Sequence, residues 1–236
     1  MPIPVTEQSI IQYADSLDVQ TNTMEKHQSL VYNLGENSLY VEKYSTHGSP
    51  VVYKKSLENE GLSSSEKRYY FNNDTLVLIR ELDKQIKQNT ESFAEIRTFF
   101  RNNVAFKKDI RTALSASTLT EQQFSPLKQV DLSGNDYAAD IKMLNDALDG
   151  NDKFDLVFDS FLSAPNERYI LLKSKIPNGY SANIQVTESD ALIDSIIAEP
   201  IIFKDQKLKF KWEMKDKEPV YVPVEVSDTS ANGLKR

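Results

Sequence analysis

The chain has 236 residues, 39% apolar and 27% charged, with a net charge of −7. That length suits one large domain or two small ones with a real core, and the balance excludes a disordered chain. No apolar run is long enough to span a bilayer, the acidic charge disfavours nucleic acid as a partner, and a chain without cysteine has no disulfide, thiol nucleophile or thiolate metal site.

Residues 5–28 open with a helical pattern. Ile10, Tyr13, Ala14 and Leu17 share one face, Thr6 is placed to cap, and Glu7 sits in the first turn. The period fades through Thr21-Asn22-Thr23. From Ser29 it becomes two. Leu30 and Tyr32 precede a turn over Asn33–Asn37, Leu39 and Val41 alternate with Tyr40 and Tyr44, and His47-Gly48-Ser49-Pro50 turns into Val51–Lys55. Residues 57–66 read as a polar loop. Lys67–Phe71 and Thr75–Leu82 form the next hairpin, and residues 83–92 read as a helical turn or a long connection.

Residues 93–113 fit two periods. Phe93, Ile96 and Phe100 suit a helix; Ile96, Thr98 and Phe100 suit one face of a strand. The strand reading is preferred because Asn102-Asn103 falls where a repeat demands a turn. Tyr44, Tyr70 and Phe99 each precede a Gly, Asp or Asn four places on, followed by an apolar run ending in basic residues. Gly, Asn and Asp tolerate the positive φ of tight hairpin turns. The three copies predict equivalent positions for Tyr44, Tyr70 and Phe99.

Composition shifts over residues 114–130, the expected linker. Asn135 or Asp136 is placed to cap a helix to Leu148, with Tyr137, Ile141, Leu144 and Leu148 on one side. Strands follow at Phe154–Leu162, Tyr169–Lys173 and Tyr180–Val186, with a turn at Pro177-Asn178-Gly179. Ser189 is expected to cap a short helix carrying Leu192, Ile193, Ile196 and Ile197, stopped by Pro200. Lys207–Glu213 alternates strictly, Val220–Val226 is the last strand, and Ser227–Arg236 reads as a frayed tail. The simplest packing lays the Ile-rich helix over Leu208, Phe210 and Trp212.

Candidate chemistry is sparse. His47 stands in a turn, and neither it nor His27 has ligands nearby in sequence. Ser-x-x-Lys occurs at Ser64–Lys67 and Ser125–Lys128, in expected polar loops and without the Lys-Thr-Gly strand of serine acyl-enzymes. Asp149, Asp152, Asp155 and Asp159 form an acidic group, but Lys153 stands where an EF-hand needs oxygen. Glu188, Asp190 and Asp194 complement a helix dipole. Asn73-Asp74-Thr75 is a glycosylation sequon. In Lys207–Trp212 the lysines and aromatics alternate, so they point to opposite faces, unlike a single-strand nucleic-acid platform. The 11 tyrosines offer another chemistry: Tyr40, Tyr44, Tyr53 and Tyr70 on an exposed sheet face would contact sugar or peptide.

The aromatic–turn–apolar units at residues 44–55, 70–80 and 99–108 resemble the tyrosine-and-glycine hairpins of MORN-type repeats common in exported Bacteroidota proteins. Gly48 keeps the expected glycine, while Asp74 and Asn103 replace it. The resemblance implies an extended antiparallel sheet and an interaction role, and it transfers no site residues.

The expected fold is thus a β-rich α+β protein. It comprises an N-terminal helical segment (1–28), an antiparallel hairpin meander (29–113), a linker (114–130), and a second antiparallel sheet with two helices (131–226). The expected function is a non-enzymatic cell-envelope binding or interaction module for a protein or glycan, with no catalytic residue, metal or cofactor. The alternatives are a hydrolase of an envelope polymer and a lipocalin-like small-ligand carrier. Residues 1–8 lack the basic and apolar regions of a signal peptide. A periplasmic or envelope site follows if a leader has been removed, with peripheral attachment, and a cytoplasmic one otherwise.

Overall fold

The structure, a computed structural model, describes residues 6–127, 137–165 and 167–224. The protein is a β-rich α+β chain in two compact units, Met1–Asp155 and Leu156–Arg236.

The first unit begins with helix α1 (Glu7–Gln20). Thr6 caps it, and Thr6 and Ser9 bond each other reciprocally in a capping box, which satisfies amides that the first turn leaves without partners. Strands β1 (Glu25–Gln28) and β2 (Tyr32–Leu34) both pair with β3 (Asn37–Thr46). Then β4 (Ser49–Asn59), β5 (Ser63–Asn72), β6 (Thr75–Lys87), β7 (Thr90–Arg101) and β8 (Val104–Ala113) follow as a meander. Helix α2 (Ala116–Glu121), the short β9 (Ser125–Pro126) and helix α3 (Tyr137–Asp149) complete the unit. Pairing runs in order from β2 to β9, all antiparallel.

The repeat is real at the level of backbone. His47-Gly48, Asn73-Asp74 and Asn102-Asn103 all hold positive φ at both central positions, the turn whose twist matches the flanking strands. Just before each turn the register slips, immediately after Tyr44, Tyr70 and Phe99. Val51, Val77 and Phe106 are the extra residues of the three bulges. Tyr44, Val52, Tyr70, Leu78, Phe99 and Lys107 therefore stand in one row across six strands. Ile10, Ala14 and Leu17 of α1 pack on Val52, Tyr70, Leu78 and Phe99. On the opposite face α3 docks: the Tyr53 hydroxyl donates to Asn145 (3.1 Å), that of Tyr69 to Asp140 (3.1 Å) and that of Tyr32 to the Ala147 carbonyl (2.9 Å).

Three expectations are corrected here. The polar loop at 57–66 is the end of β4 and the start of β5, joined by the turn Glu60-Gly61-Leu62, with positive φ at Glu60 and Gly61. The connection at 83–92 is likewise strand, turning at Gln88-Asn89. Neighbouring strands satisfy the backbone of these segments, and both faces are partly wet, so apolar alternation is not required. The linker at 114–130 is not where the units divide. Helix α2 and β9 join the β7–β8 edge and α3 buries Leu144, Ala147 and Leu148, which moves the division to Asp155/Leu156. The expected caps Asn135 and Asp136 lie outside the described residues.

In the second unit β10 (Leu156–Ala164), β11 (Glu167–Ser174) and β12 (Ser181–Gln185) are antiparallel. Helices α4 (Ala191–Ala198) and α5 (Pro200–Phe203) follow, then the hairpin β13 (Lys211–Lys215) and β14 (Glu218–Val222), whose β14 runs parallel to β12 at Gln185–Val220. Asp190, not Ser189, caps α4: its Oδ1 accepts from the Leu192 and Ile193 amides. The Ile-rich helix ends at Ala198, just before Pro200 as expected, and Pro200 also opens α5, since the first helical position needs no N–H donor. The last hairpin turns at Asp216-Lys217 with regular pairing only from Lys211, so the strand expected at 207–213 is displaced toward the turn. Leu208, Phe210 and Trp212 are half-buried while Lys207, Lys209 and Lys211 are exposed, and Trp212 pairs across the hairpin with Tyr221. Of the α4 stripe, Ile193 and Ile196 are buried and Ile197 is exposed. The expected strand end at 225–226 and the tail 227–236 lie outside the described residues.

Candidate functional site

The four tyrosines expected to contact a ligand do not share a face. Tyr40, Tyr44 and Tyr70 point to the α1 side of the sheet, Tyr53 to the α3 side, because the latter is one residue out of phase. Tyr53 and Tyr70 are core residues, 4% and 0% exposed. Tyr40 and Tyr44 are half-buried. The Tyr40 hydroxyl accepts from Gln28 and donates to Glu42 (3.2 Å). Lys26 bonds Glu42 at 2.5 Å and lies over the Tyr44 ring at 5.8 Å. Burial, then the Glu42 charge, pushes the Tyr44 hydroxyl up to about 12.

Below the aromatic row on the α1 face runs a charged one: Glu42, Lys54, Arg68, Arg80, Arg97 and Asp109 face each other across six strands. Three adjacent arginines would repel. Acids from α1 and from the next row separate them. Asp18 takes Arg68 (2.8 Å) and Arg80 (3.2 Å), Asp15 takes Arg80 (2.6 Å), and Glu66 takes Lys54 (3.1 Å) and Arg68 (2.8 Å). Arg97 and Arg111 clamp the Phe124 ring, with guanidinium carbons 3.4 and 4.6 Å from its centroid, and both pair with Glu95. Burial raises Glu42 and Glu66 less than their lysine and arginine partners lower them, so both carboxyls end below the ordinary range. The row joins the sheet to α1 and to the segment after α2; its charges are spent on each other.

The α3 face differs beyond the helix. Two shallow hollows, about 190 and 470 Å³, lie side by side over the strand ends far from the bulged turns, with Asp83 and Gln85 lining both, and together make up a trough in two parts. Asn59, Ser63, Gln85 and Ser92 stand in one row, and Ser65, Asp83, Ala94 and Thr112 in the next. These side chains are half-buried or exposed on a fully paired backbone. Sequence reading missed them, because small polar residues in strands look like loop. Their only signal is alternation: Ser63, Ser65, Asp83 and Gln85 keep step with buried Tyr69 and Ile79.

The other candidates resolve plainly. His47 is exposed in its turn at positive φ, and His27 is exposed on β1. Among the described residues no group of three His, Cys, Asp or Glu is placed to hold a metal. Ser64 and Lys67 lie on β5, three residues apart and hence on opposite faces; Lys128 lies outside the described residues. Asp159 is the bulged residue of β10 and bonds Lys173 (3.0 Å) and Lys204 (2.7 Å). No described helix is long and apolar enough to cross a membrane.

Comparisons with protein-family models, with curated proteins and with solved structures find no match.

Proposed function

We propose that this chain is a non-catalytic binding module of the cell envelope, and that it binds through the uncovered half of its hairpin sheet. The observation that carries this is the trough on the α3 face. A long meander continues past α3 and presents paired strands lined mainly with hydrogen-bonding side chains, with no covering helix there among the described residues. The resemblance of the hairpins to MORN-type repeats common in exported Bacteroidota proteins supports an extracytoplasmic setting. The pairing in sequence order from β2 to β9 supports binding on a sheet face over carriage inside a lipocalin-like barrel. Tyr40 and Tyr44 keep partial exposure and would serve only a ligand on the opposite, α1 face.

The test is hydrogen exchange on the full chain, with and without soluble envelope extract from a Bacteroidota host. Protection over 63–65, 83–85 and 92–94, with the bound material recovered chemically intact, supports the reading. Release of cleaved fragments would instead mark a hydrolase, and unchanged exchange at all three segments would sink the proposal.

A further inference from the structure

We infer that the trough ligand is a neutral glycan chain lying across the strands, an assignment that rests on the binding reading above. The lining chemistry argues for it. Asn59, Ser63, Ser65, Gln85, Ser92 and Thr112 each carry a group that both donates and accepts hydrogen bonds. Sugar hydroxyls need such two-way partners at every position. A nucleic acid or acidic polymer needs cations, yet the charge on this floor is the carboxylate of Asp83. Lys84, the lysine at the rim, points to the other face and is held by Glu91 at 2.7 Å. An apolar helix or loop needs a greasy groove, whereas this floor sets Leu57 and Ala94 singly among Asn59, Ser63, Ser65, Asp83, Gln85, Ser92 and Thr112.

The geometry fits a chain rather than a single sugar. The trough runs from β3 to β8, a span of roughly 24 Å at the ordinary strand spacing of about 4.8 Å. It is shallow and open along its length, so a polymer can lie in it without an end being threaded. At one end Leu114 is exposed, a small apolar shoulder suited to the face of a terminal sugar ring. Small side chains matter as much as polar ones: Ser63, Ser65 and Ala94 leave the depth that a longer residue would fill.

The test uses the full chain and a panel of soluble neutral hexasaccharides (β-glucan, mannan, xylan and chitin types), with heparin and polygalacturonate as charged controls. Binding is followed by isothermal calorimetry and backbone NMR. Ser65→Arg fills the trough from a solvent-facing position, and Tyr40→Ala probes the opposite face. The expected result is binding to at least one neutral chain, with shifts over 63–65, 83–85 and 92–94. Ser65→Arg should weaken it at least tenfold at unchanged melting temperature, and Tyr40→Ala should leave it alone. Three results overturn the inference: no neutral chain binds, charged polymers bind better, or Tyr40→Ala and not Ser65→Arg abolishes binding. If envelope extract protects the trough through a protein while every glycan fails, the binding reading survives and the glycan assignment falls.

Discussion

The Tyr70 hydroxyl donates to both oxygens of Asp18, at 2.9 and 3.1 Å, while Arg68 and Arg80 reach the same carboxylate from adjacent strands. One carboxylate at the end of α1 thus ties the helix to β5 and β6 and keeps two facing arginines apart. Asp18 is about a quarter exposed, so its loss should cost less than the roughly 3–5 kcal/mol of breaking a fully buried pair on one side. Asp18→Asn is expected to lower stability by about 2–3 kcal/mol in urea denaturation, a value set below that range for solvent screening. A change under about 0.5 kcal/mol, the scatter of an ordinary surface substitution, would show that the carboxylate is not the tie.

Phe99 is 1% exposed under α1, whereas Trp212 is half-buried beside Tyr221. Truncating a buried aromatic costs about 3–5 kcal/mol, and a half-buried one should cost about half of that. Phe99→Ala is therefore expected to destabilise clearly more than Trp212→Ala in thermal melts. Native Trp212 emission should fall between buried and fully exposed values. A fully red-shifted, freely quenched Trp212 would contradict the hairpin packing.

In the second unit Asp190 joins α4 to the last hairpin. Its Oδ2 accepts from the Tyr221 hydroxyl (2.7 Å) and the Val224 amide (2.9 Å), while Oδ1 caps the helix. Burial opposes ionisation there, but the Tyr221 hydroxyl and the three amides outweigh it and lower the carboxyl. Losing a helix cap costs about 0.5–2 kcal/mol, and a charged hydrogen bond about 1.5–3. Asp190→Ala should cost at least about 2 kcal/mol, and Tyr221→Phe about 1.5. Equal and negligible effects, read by denaturation of the full chain, would reject the link.

Asp159 is held down to about 2 from its ordinary 3.8, by its hydrogen bonds to Lys204 and then Lys173. A carboxyl lowered in the folded state contributes stability that is present above its unfolded pKa and lost as pH falls through the folded one. The second unit should therefore weaken between about pH 4 and pH 2. Asp159→Asn should flatten that slope, only partly because the pair is a third exposed and screened. Acid titration of the variant with an unchanged slope would place the acid sensitivity elsewhere.

Gln88 and Lys217 hold φ of 50° and 69° in two-residue turns, a region costing non-glycine residues about 1–2 kcal/mol. Lys217→Gly should stabilise by up to about 1 kcal/mol. Gln88→Asn should gain less, since asparagine only tolerates the conformation. A loss of melting temperature in both would mean the side chains are held by contacts that outweigh the strain.

Much of the fold is written locally. The Thr6 cap, the Asn102-Asn103 and Asn73-Asp74 turns, and the alternation about Tyr44, Tyr70 and Phe99 act within a few residues, so the helix, the hairpins and the strand reading of 93–113 could be read from them. Neighbouring strands decided the rest. The segments 57–66 and 83–92 are polar on both faces and become strand because flanking hairpins complete their hydrogen bonds. Residues 114–127 are drawn in by Phe124 between Arg97 and Arg111. The split of Tyr40, Tyr44 and Tyr70 from Tyr53 follows from phase within each strand, but burial of Tyr53 and Tyr70 follows from where α3 and α1 land. The trough was illegible for the same reason: it is assembled from serines, asparagines and a glutamine far apart in sequence. Only the summed register of six strands brings them to one face.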